Sequence, residues 1–238
     1  MNKVQLATAV AFTWASVTAQ AALEGAAELG ATIVTGNTET TSIKAKIDST
    51  HEVGEFTNQY LLEALYAEDT DTRSAERYYA LAQTNYPKAG RHYFFGMGSG
   101  EIDKFSGYDY VLTVAAGYGY RFIQQTDMTL VGEIGPGYSY KKVDQDENPG
   151  ADNESDVIAR AKIEYWWQFS PNAEFKQLFT SDIAFGGATI SRSETSVSAS
   201  LVGNLAMKLG YNVKHNSDPV DGKQSTDTEL AATLLYKF

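Results

Sequence analysis

The sequence predicts an all-β fold, a transmembrane antiparallel up-and-down β-barrel of about twelve strands. Three observations predict it: side chains alternate with a period of two over long segments, helical periodicity is hard to find, and turn sequences separate the segments. In such a barrel the apolar face of each strand contacts lipid and the opposite face lines a polar lumen. A soluble periplasmic β-protein would instead bury the apolar faces against each other, and alternation alone leaves that class open.

The predicted strands are long and clearly two-faced. In the segment 106–122, an apolar face that begins with Tyr108 and Tyr110 alternates with a face that carries Asp109 and Arg121. Most segments exceed the roughly five to six residues usual in soluble strands, which suits tilted strands that span a bilayer. The predicted strands are 25–35, 40–52, 55–67, 75–86, 91–101, 106–122, 127–142, 155–169, 173–185, 192–202, 204–215 and 225–238.

The connections between these segments alternate between short and longer ones. The short set comprises 53–54, 87–90, 123–127, 170–172 and Gly203, and most of the others are longer and more polar. Membrane barrels of bacteria have an even number of strands, short periplasmic turns and longer extracellular loops. The pattern therefore predicts that both termini are periplasmic.

The N-terminal segment reads as a secretory signal peptide. It has Lys3 near its start, an apolar run too short to span a bilayer as a helix, and Ala19-Gln20-Ala21 at its end. We predict a signal peptide over 1–21 and a barrel over 22–238.

The C-terminal segment ends in an aromatic residue. Leu234, Tyr236 and Phe238 share one face of the last predicted strand, whereas the last residues of soluble domains are commonly polar and frayed. The ending is similar to the C-terminal assembly signal of bacterial outer-membrane barrels. It implies the outer membrane of a Gram-negative bacterium, with lipid and lipopolysaccharide as surroundings and the barrel-assembly machinery as a partner during insertion.

Composition excludes several classes of site. The net charge of −11 argues against nucleic acid as a partner, and the absence of cysteine excludes disulfides and thiolate metal sites. His51, His92 and His215 are the three histidines, and no two of them have a short spacing suited to a metal. We therefore expect no metal and no cofactor.

The charged residues of the alternating segments are predicted to point into the lumen. Unpaired buried charge is costly, so these residues either form an ion-pair network that fills the barrel or line a narrow aqueous path. Side chains inside small barrels usually pack, which favours a filled or nearly filled lumen. The principal predicted lumen charges are Lys44, Lys46, Glu133, Arg160, Lys162, Glu164, Lys208 and Glu229, and Asp48, Glu63, Asp109, Arg121, Glu174, Lys176, Asp182, Lys214 and Lys237 are predicted to point the same way.

One enzymatic alternative rests on His215 and Ser217. The two residues would share a strand face near the outer rim, an arrangement that resembles the His-x-Ser pair of outer-membrane phospholipase A. No third group that would orient the base is identifiable, and a two-residue motif has a high false-positive rate. We predict a protein without enzymatic activity and keep a lipid-hydrolysing barrel as the alternative.

Several ordered stretches resemble one family. The clearest are Thr35-Gly36-Asn37-Thr38 and Gly107-Tyr108-Asp109-Tyr110. They are similar to the YdiY-like outer-membrane proteins, also labelled salt-stress-induced outer-membrane proteins, whose domain is one of unknown function. The resemblance implies an outer-membrane barrel, and the family label suggests a role in envelope maintenance under osmotic or salt stress. The predicted lumen charges allow a second role, the restricted passage of a small solute. It implies no catalytic residues.

Overall fold

A computed structural model of the chain describes residues 23–36, 40–69, 72–146, 148–220 and 222–238. The predicted signal peptide over 1–21 lies outside the described residues, as do Asn37 and Thr38 of the family signature. Within the described residues, no helix is long and apolar enough to cross a membrane.

The described chain forms one closed antiparallel barrel. Each strand pairs with its neighbours in sequence, and β1 pairs with β12. The predicted fold class is therefore confirmed, and the observed strand ends lie within a few residues of the predicted ones. The strands are Leu23–Thr35 (β1), Thr40–Val53 (β2), Phe56–Asp69 (β3), Thr72–Pro87 (β4), His92–Asp103 (β5), Tyr108–Gln124 (β6), Met128–Val143 (β7), Glu154–Ser170 (β8), Ala173–Ala184 (β9), Ile190–Val202 (β10), Leu205–Asn216 (β11) and Thr226–Lys237 (β12).

The barrel closes next to the final residue. The backbone N–H of Gly25 donates to the carbonyl oxygen of Phe238, and the N–H of Phe238 donates to the carbonyl of Gly25, both at 2.9 Å. A Cβ on Gly25 would lie 2.8 Å from the Phe238 ring, so the ring has room only because residue 25 has no side chain. The closed ladder leaves no unpaired strand edge.

The two glycines of the family signature that the structure describes occupy left-handed backbone conformations. Gly36 follows β1 with a φ of 130°, and Gly107 precedes β6 with a φ of 83°. Residues with a Cβ rarely adopt either conformation, so both positions favour glycine at the end of a strand.

The distribution of side chains is the reverse of that in a soluble protein. Ile43 on β2 is 64% exposed on the outer surface, whereas its neighbour Lys44 is 4% exposed and points inward. Most other strands also turn Leu, Ile, Phe and Tyr side chains outward, whereas β5 turns Tyr93, Phe95 and Met97 into the interior. Burial of the apolar faces against each other, which a soluble β-protein needs, is not found among the described strands. An apolar exterior around a polar interior is the pattern of a membrane barrel.

The beginning of β6 departs from the predicted alternation. A β-bulge shifts the register between β6 and β7 at Tyr108 and Tyr110. Tyr108 is consequently buried inside, where its hydroxyl donates to Glu154, while Asp109 forms an ion pair of 2.7 Å with Lys142 on the outer face. The predictions that Tyr108 faces outward and that Asp109 faces the lumen were therefore wrong. A bulge places one extra residue in one strand and reverses the faces beyond it.

Candidate functional site

The interior of the barrel contains a network of ion pairs beside a smaller apolar cluster that includes Tyr93, Phe95 and Met97. The eight principal residues predicted to line the lumen all lie on inward faces, and each forms at least one ion pair. Their pairs are Lys44 with Glu229 and Glu63, Lys46 with Glu194, Glu133 with Lys162, Arg160 with Asp182, Lys162 with Glu164, and Lys208 with Glu194 and Glu28.

Four charges from β2, β3, β4 and β12 form a closed ring. Lys44 Nζ and Arg77 Nη2 each contact a carboxylate oxygen of Glu63, at 3.1 and 2.9 Å. The same two bases contact Glu229, at 2.5 and 2.7 Å. Every member of the ring thus has two neighbours of opposite charge. This arrangement offsets the desolvation that buried charges incur.

A second group of ion pairs links β2, β10, β11 and β1. Lys46 Nζ on β2 lies 3.1 Å from Glu194 on β10. Glu194 also accepts from Lys208 on β11 at 3.0 Å, and Lys208 contacts Glu28 on β1 at the same distance. The ion pair between β2 and β10 lies on the lumen side of β1, β12 and β11, the three strands that separate them in the barrel.

A third group crosses the full width of the lumen. Glu101 on β5 accepts from Arg192 on β10 at 2.7 Å and from Lys214 on β11. Strands β5 and β11 lie on opposite sides, because five strands separate them in either direction around the barrel. Arg192 continues the network to Asp182, which Arg160 also contacts. We call Glu101, Arg192 and Lys214 the cross-lumen bridge.

Two members of the cross-lumen bridge, Glu101 and Arg192, were not predicted as lumen residues from the sequence. Glu101 was the last residue of one predicted strand and Arg192 the first residue of another. The structure extends these strands to Asp103 and back to Ile190, so both residues lie within regular pairing. The alternation within 192–202 puts Arg192 on the polar face with Glu194, whereas Glu101 shares its face with apolar side chains such as Phe95 and gave no such signal.

A cavity of about 180 Å³ remains between these ion pairs. Its lining comes from the inner faces of strands on both sides of the barrel and includes Glu63, Glu101, Arg160, Arg192 and Glu194. Carboxylates, ammonium groups and guanidinium groups all reach this space. Such a lining suits water, ions and small polar solutes.

The Glu133 carboxylate inside the lumen is held by a hydrogen bond from Tyr93. Tyr93 is buried and donates its hydroxyl proton to Glu133 at 2.7 Å, while the Arg121 guanidinium stacks 4.8 Å from the centre of its ring. Gln83 on β4 donates to the same carboxylate at 2.9 Å. A Cβ on Gly119 would lie 2.1 Å from the Tyr93 ring, so the ring depends on the absence of a side chain there.

We expect Gly119→Ala to lower the free energy of unfolding by about 1–3 kcal/mol, because the added methyl group must displace the buried Tyr93 ring. Gly98→Ala is the matched control, since a Cβ at Gly98 meets no atom within 4 Å. Urea titrations of the two refolded variants measure the difference. Equal unfolding midpoints would contradict this account of Gly119.

The histidine and serine of the enzymatic alternative have other partners. The Nδ1 atom of His215 lies 2.9 Å from the Thr226 hydroxyl on the neighbouring strand. The hydroxyl oxygen of Ser217 accepts the backbone N–H of Thr189 at 2.8 Å. These hydrogen bonds join His215 and Ser217 to Thr226 and Thr189, and neither of them places a general base beside the Ser217 hydroxyl.

The remaining histidine with a described side-chain contact belongs to an aromatic cluster. His92 hydrogen-bonds the Tyr118 hydroxyl, and its ring lies 4.8 Å from that of Tyr120. Among the side chains that the structure describes, no group of three or more His, Asp or Glu residues is arranged to hold a metal ion.

Comparison with known proteins supplies the family. The model of the family described as "Protein of unknown function, DUF481" matches residues 27–238. The chain belongs to this family. It is also 28% identical over 219 residues to the protein named "Uncharacterized protein YdiY" of Escherichia coli strain K12, covering 90% of this chain and 83% of that protein. The YdiY-like resemblance of the sequence motifs is thereby confirmed.

Solved structures share the fold at low sequence identity. The NanC porin superposes with a TM-score of 0.58 at 8% identity, over 89% of this chain and all of that one. The translocator domain of the autotransporter NalP from Neisseria meningitidis gives a TM-score of 0.54 at 12% identity, over 93% of this chain and 90% of that one. These similarities establish the architecture of the barrel.

Proposed function

We propose that this protein is a non-enzymatic outer-membrane barrel that acts as a narrow channel for small polar solutes. Both termini are periplasmic in this proposal, and lipid and lipopolysaccharide surround the apolar outer surface. The observation that carries the proposal is the cross-lumen bridge beside a charged cavity. Glu101 contacts cations on the opposite wall, so the lumen is constricted by side chains and no inserted segment of backbone is needed.

The constriction consists of charged side chains, and this favours a lumen that small solutes can pass through rather than one closed by a solid core. Charged side chains around the cavity offer contacts to ions and water, which the buried side chains of Phe95 and Met97 elsewhere in the interior do not. At ~30 Å³ per water molecule, a cavity of about 180 Å³ holds on the order of six waters. This is smaller than the roughly 300 Å³ at which pockets for drug-sized ligands begin, so the expected solutes contain only a few heavy atoms.

The comparisons support the same reading. A protein whose structure is named a porin has this barrel architecture along its whole length. The apolar outer surface supports insertion in a bilayer, because exposed apolar area of this extent is costly in water.

A two-solute release experiment tests the proposal. The mature protein is refolded into phospholipid vesicles loaded with KCl and calcein, and its folded state is verified by the heat-dependent shift in gel mobility. We expect potassium and chloride to leave on dilution while calcein stays inside. Retention of both solutes by vesicles that contain folded protein would contradict a channel, and release of calcein would contradict a narrow one.

The stress-related role implied by the family resemblance is a separate proposal about physiology. A channel for small solutes would contribute to osmotic balance across the envelope. Growth of a deletion strain at high and low osmolarity measures this contribution, and growth identical to that of the parent strain in both media would contradict it.

A further inference from the structure

The cavity in the lumen has two walls of opposite net charge. The half formed by β12 and β1 to β5 contributes five carboxylates and two bases, a net charge of −3. The half formed by β8 to β11 contributes five bases and two carboxylates, a net charge of +3. The acidic wall carries Asp48, Glu63, Glu101, Asp227 and Glu229 with Lys46 and Arg77. The basic wall carries Arg160, Lys162, Lys176, Arg192 and Lys214 with Glu164 and Glu194.

This separation produces an electric field across the barrel. Because the surrounding strands and lipid have a low dielectric constant, the field is concentrated in the cavity. A solute with no charge gains little interaction energy from this field. A single ion is drawn to one wall and repelled by the other. A solute that carries both charges can contact both walls at once.

Two buried polar atoms of the cavity lining have no partner among the described residues. Arg160 is 5% exposed, and its Nη1 donates to Asp182 while its Nε has no acceptor. Asn212 donates through Nδ2 to Glu229 and leaves its Oδ1 without a donor. Buried polar atoms are usually hydrogen-bonded, so an unpartnered donor and an unpartnered acceptor in one cavity call for an explanation.

The two side chains that carry these atoms complement the two ends of a small zwitterion. Arg160 lies on the basic wall, and its guanidinium group suits a carboxylate. Asn212 lines the cavity beside Glu229, and an amide next to a carboxylate suits an ammonium group, which has donors and no acceptor. Both contacts would be charge-assisted, and hydrogen bonds of that kind are the stronger class.

We propose that the lumen selects small zwitterions that carry an ammonium and a carboxylate group, such as α-amino acids. The carboxylate contacts Arg160 and Arg192, and the ammonium group contacts Asn212 and the carboxylates of the acidic wall. The solute takes the place of partners within the cross-lumen bridge as it passes. This inference rests on the proposed channel function and specifies its substrate class.

Two isomers test the inference without a difference in size or net charge. Glycine and glycolamide have the same atomic composition, but glycine is a zwitterion and glycolamide is not. Swelling of proteoliposomes in isosmotic solutions of each, corrected for protein-free vesicles, gives the two permeation rates. We expect glycine to enter several-fold faster than glycolamide.

Variants connect this preference to the cavity. Arg160→Lys keeps the charge beside Asp182 but removes Nε, and Arg160→Gln removes the charge as well. We expect the preference for glycine to fall in the first variant and to disappear in the second. Lys142→Gln is the control, because its ion pair with Asp109 lies on the outer face. Heat-dependent gel mobility verifies that each variant is folded.

The outcomes separate this inference from the channel proposal. Equal rates for the two isomers would overturn zwitterion selection and leave the channel standing. Absence of swelling with either solute would overturn both. A preference for glycine that persists in folded Arg160→Gln would overturn the assigned site.

Discussion

Glu101→Gln is expected to raise the conductance of the proposed channel and to make it selective for anions. In the wild type, Glu101 holds Arg192 and Lys214 across the lumen. The amide that replaces it has no charge, so two cations lose their carboxylate and the bridge opens. The acidic wall then loses one of its five carboxylates, and the net charge of the cavity lining rises from 0 to +1. Reversal potentials across a KCl gradient in planar bilayers measure the selectivity, and single-channel steps measure the conductance.

Asp109→Asn is the matched control for this prediction. It makes the same chemical change, from carboxylate to amide, but its ion pair with Lys142 lies on the outer face. We expect its conductance and reversal potential to equal those of the wild type. A Glu101→Gln channel that is indistinguishable from the control would show that the cross-lumen bridge does not set the constriction.

Leu209→Arg is expected to destabilise the inserted barrel by about 2–4 kcal/mol, the cost of an arginine at the bilayer midplane. Leu209 lies near the middle of β11, faces outward and is 55% exposed. In lipid, an arginine there must leave water without gaining an ion pair. Urea titrations in phospholipid vesicles, followed by gel mobility, measure the loss.

Val202→Arg provides the comparison at the end of a strand. Val202 is 74% exposed and lies at the last position of β10, where an arginine can reach water. The expected cost is about 0–1 kcal/mol, because the penalty falls towards the interfaces. If both variants unfold at the same urea concentration, the outer face of β11 does not contact the bilayer core.

The strands could be predicted because alternation is a local property of the sequence. Ile43 and Lys44 already show that one face of β2 is apolar and the other is charged. The pairing of β1 with β12 follows from the even number of strands and the requirement that no edge remains. Alternation therefore predicted the inward orientation of all eight principal lumen charges.

The contacts between opposite walls could not be predicted in this way. Alternation states that Lys214 points inward, but its position relative to Glu101 depends on the stagger of all the strands. The bulge at Tyr108 is a second case, because a single extra residue reverses a face without a clear signal in composition. The unpartnered atoms of Arg160 and Asn212 depend on side-chain conformations, which periodicity does not determine.

Single-channel recording of refolded residues 22–238 in planar bilayers, over a series of KCl concentrations, decides whether the lumen conducts. We expect small, discrete and reproducible conductance steps, because in the proposed channel an aqueous path passes beside the ion pairs of the lumen. A protein that is shown to be folded and inserted, yet conducts no current at any KCl concentration, would contradict it.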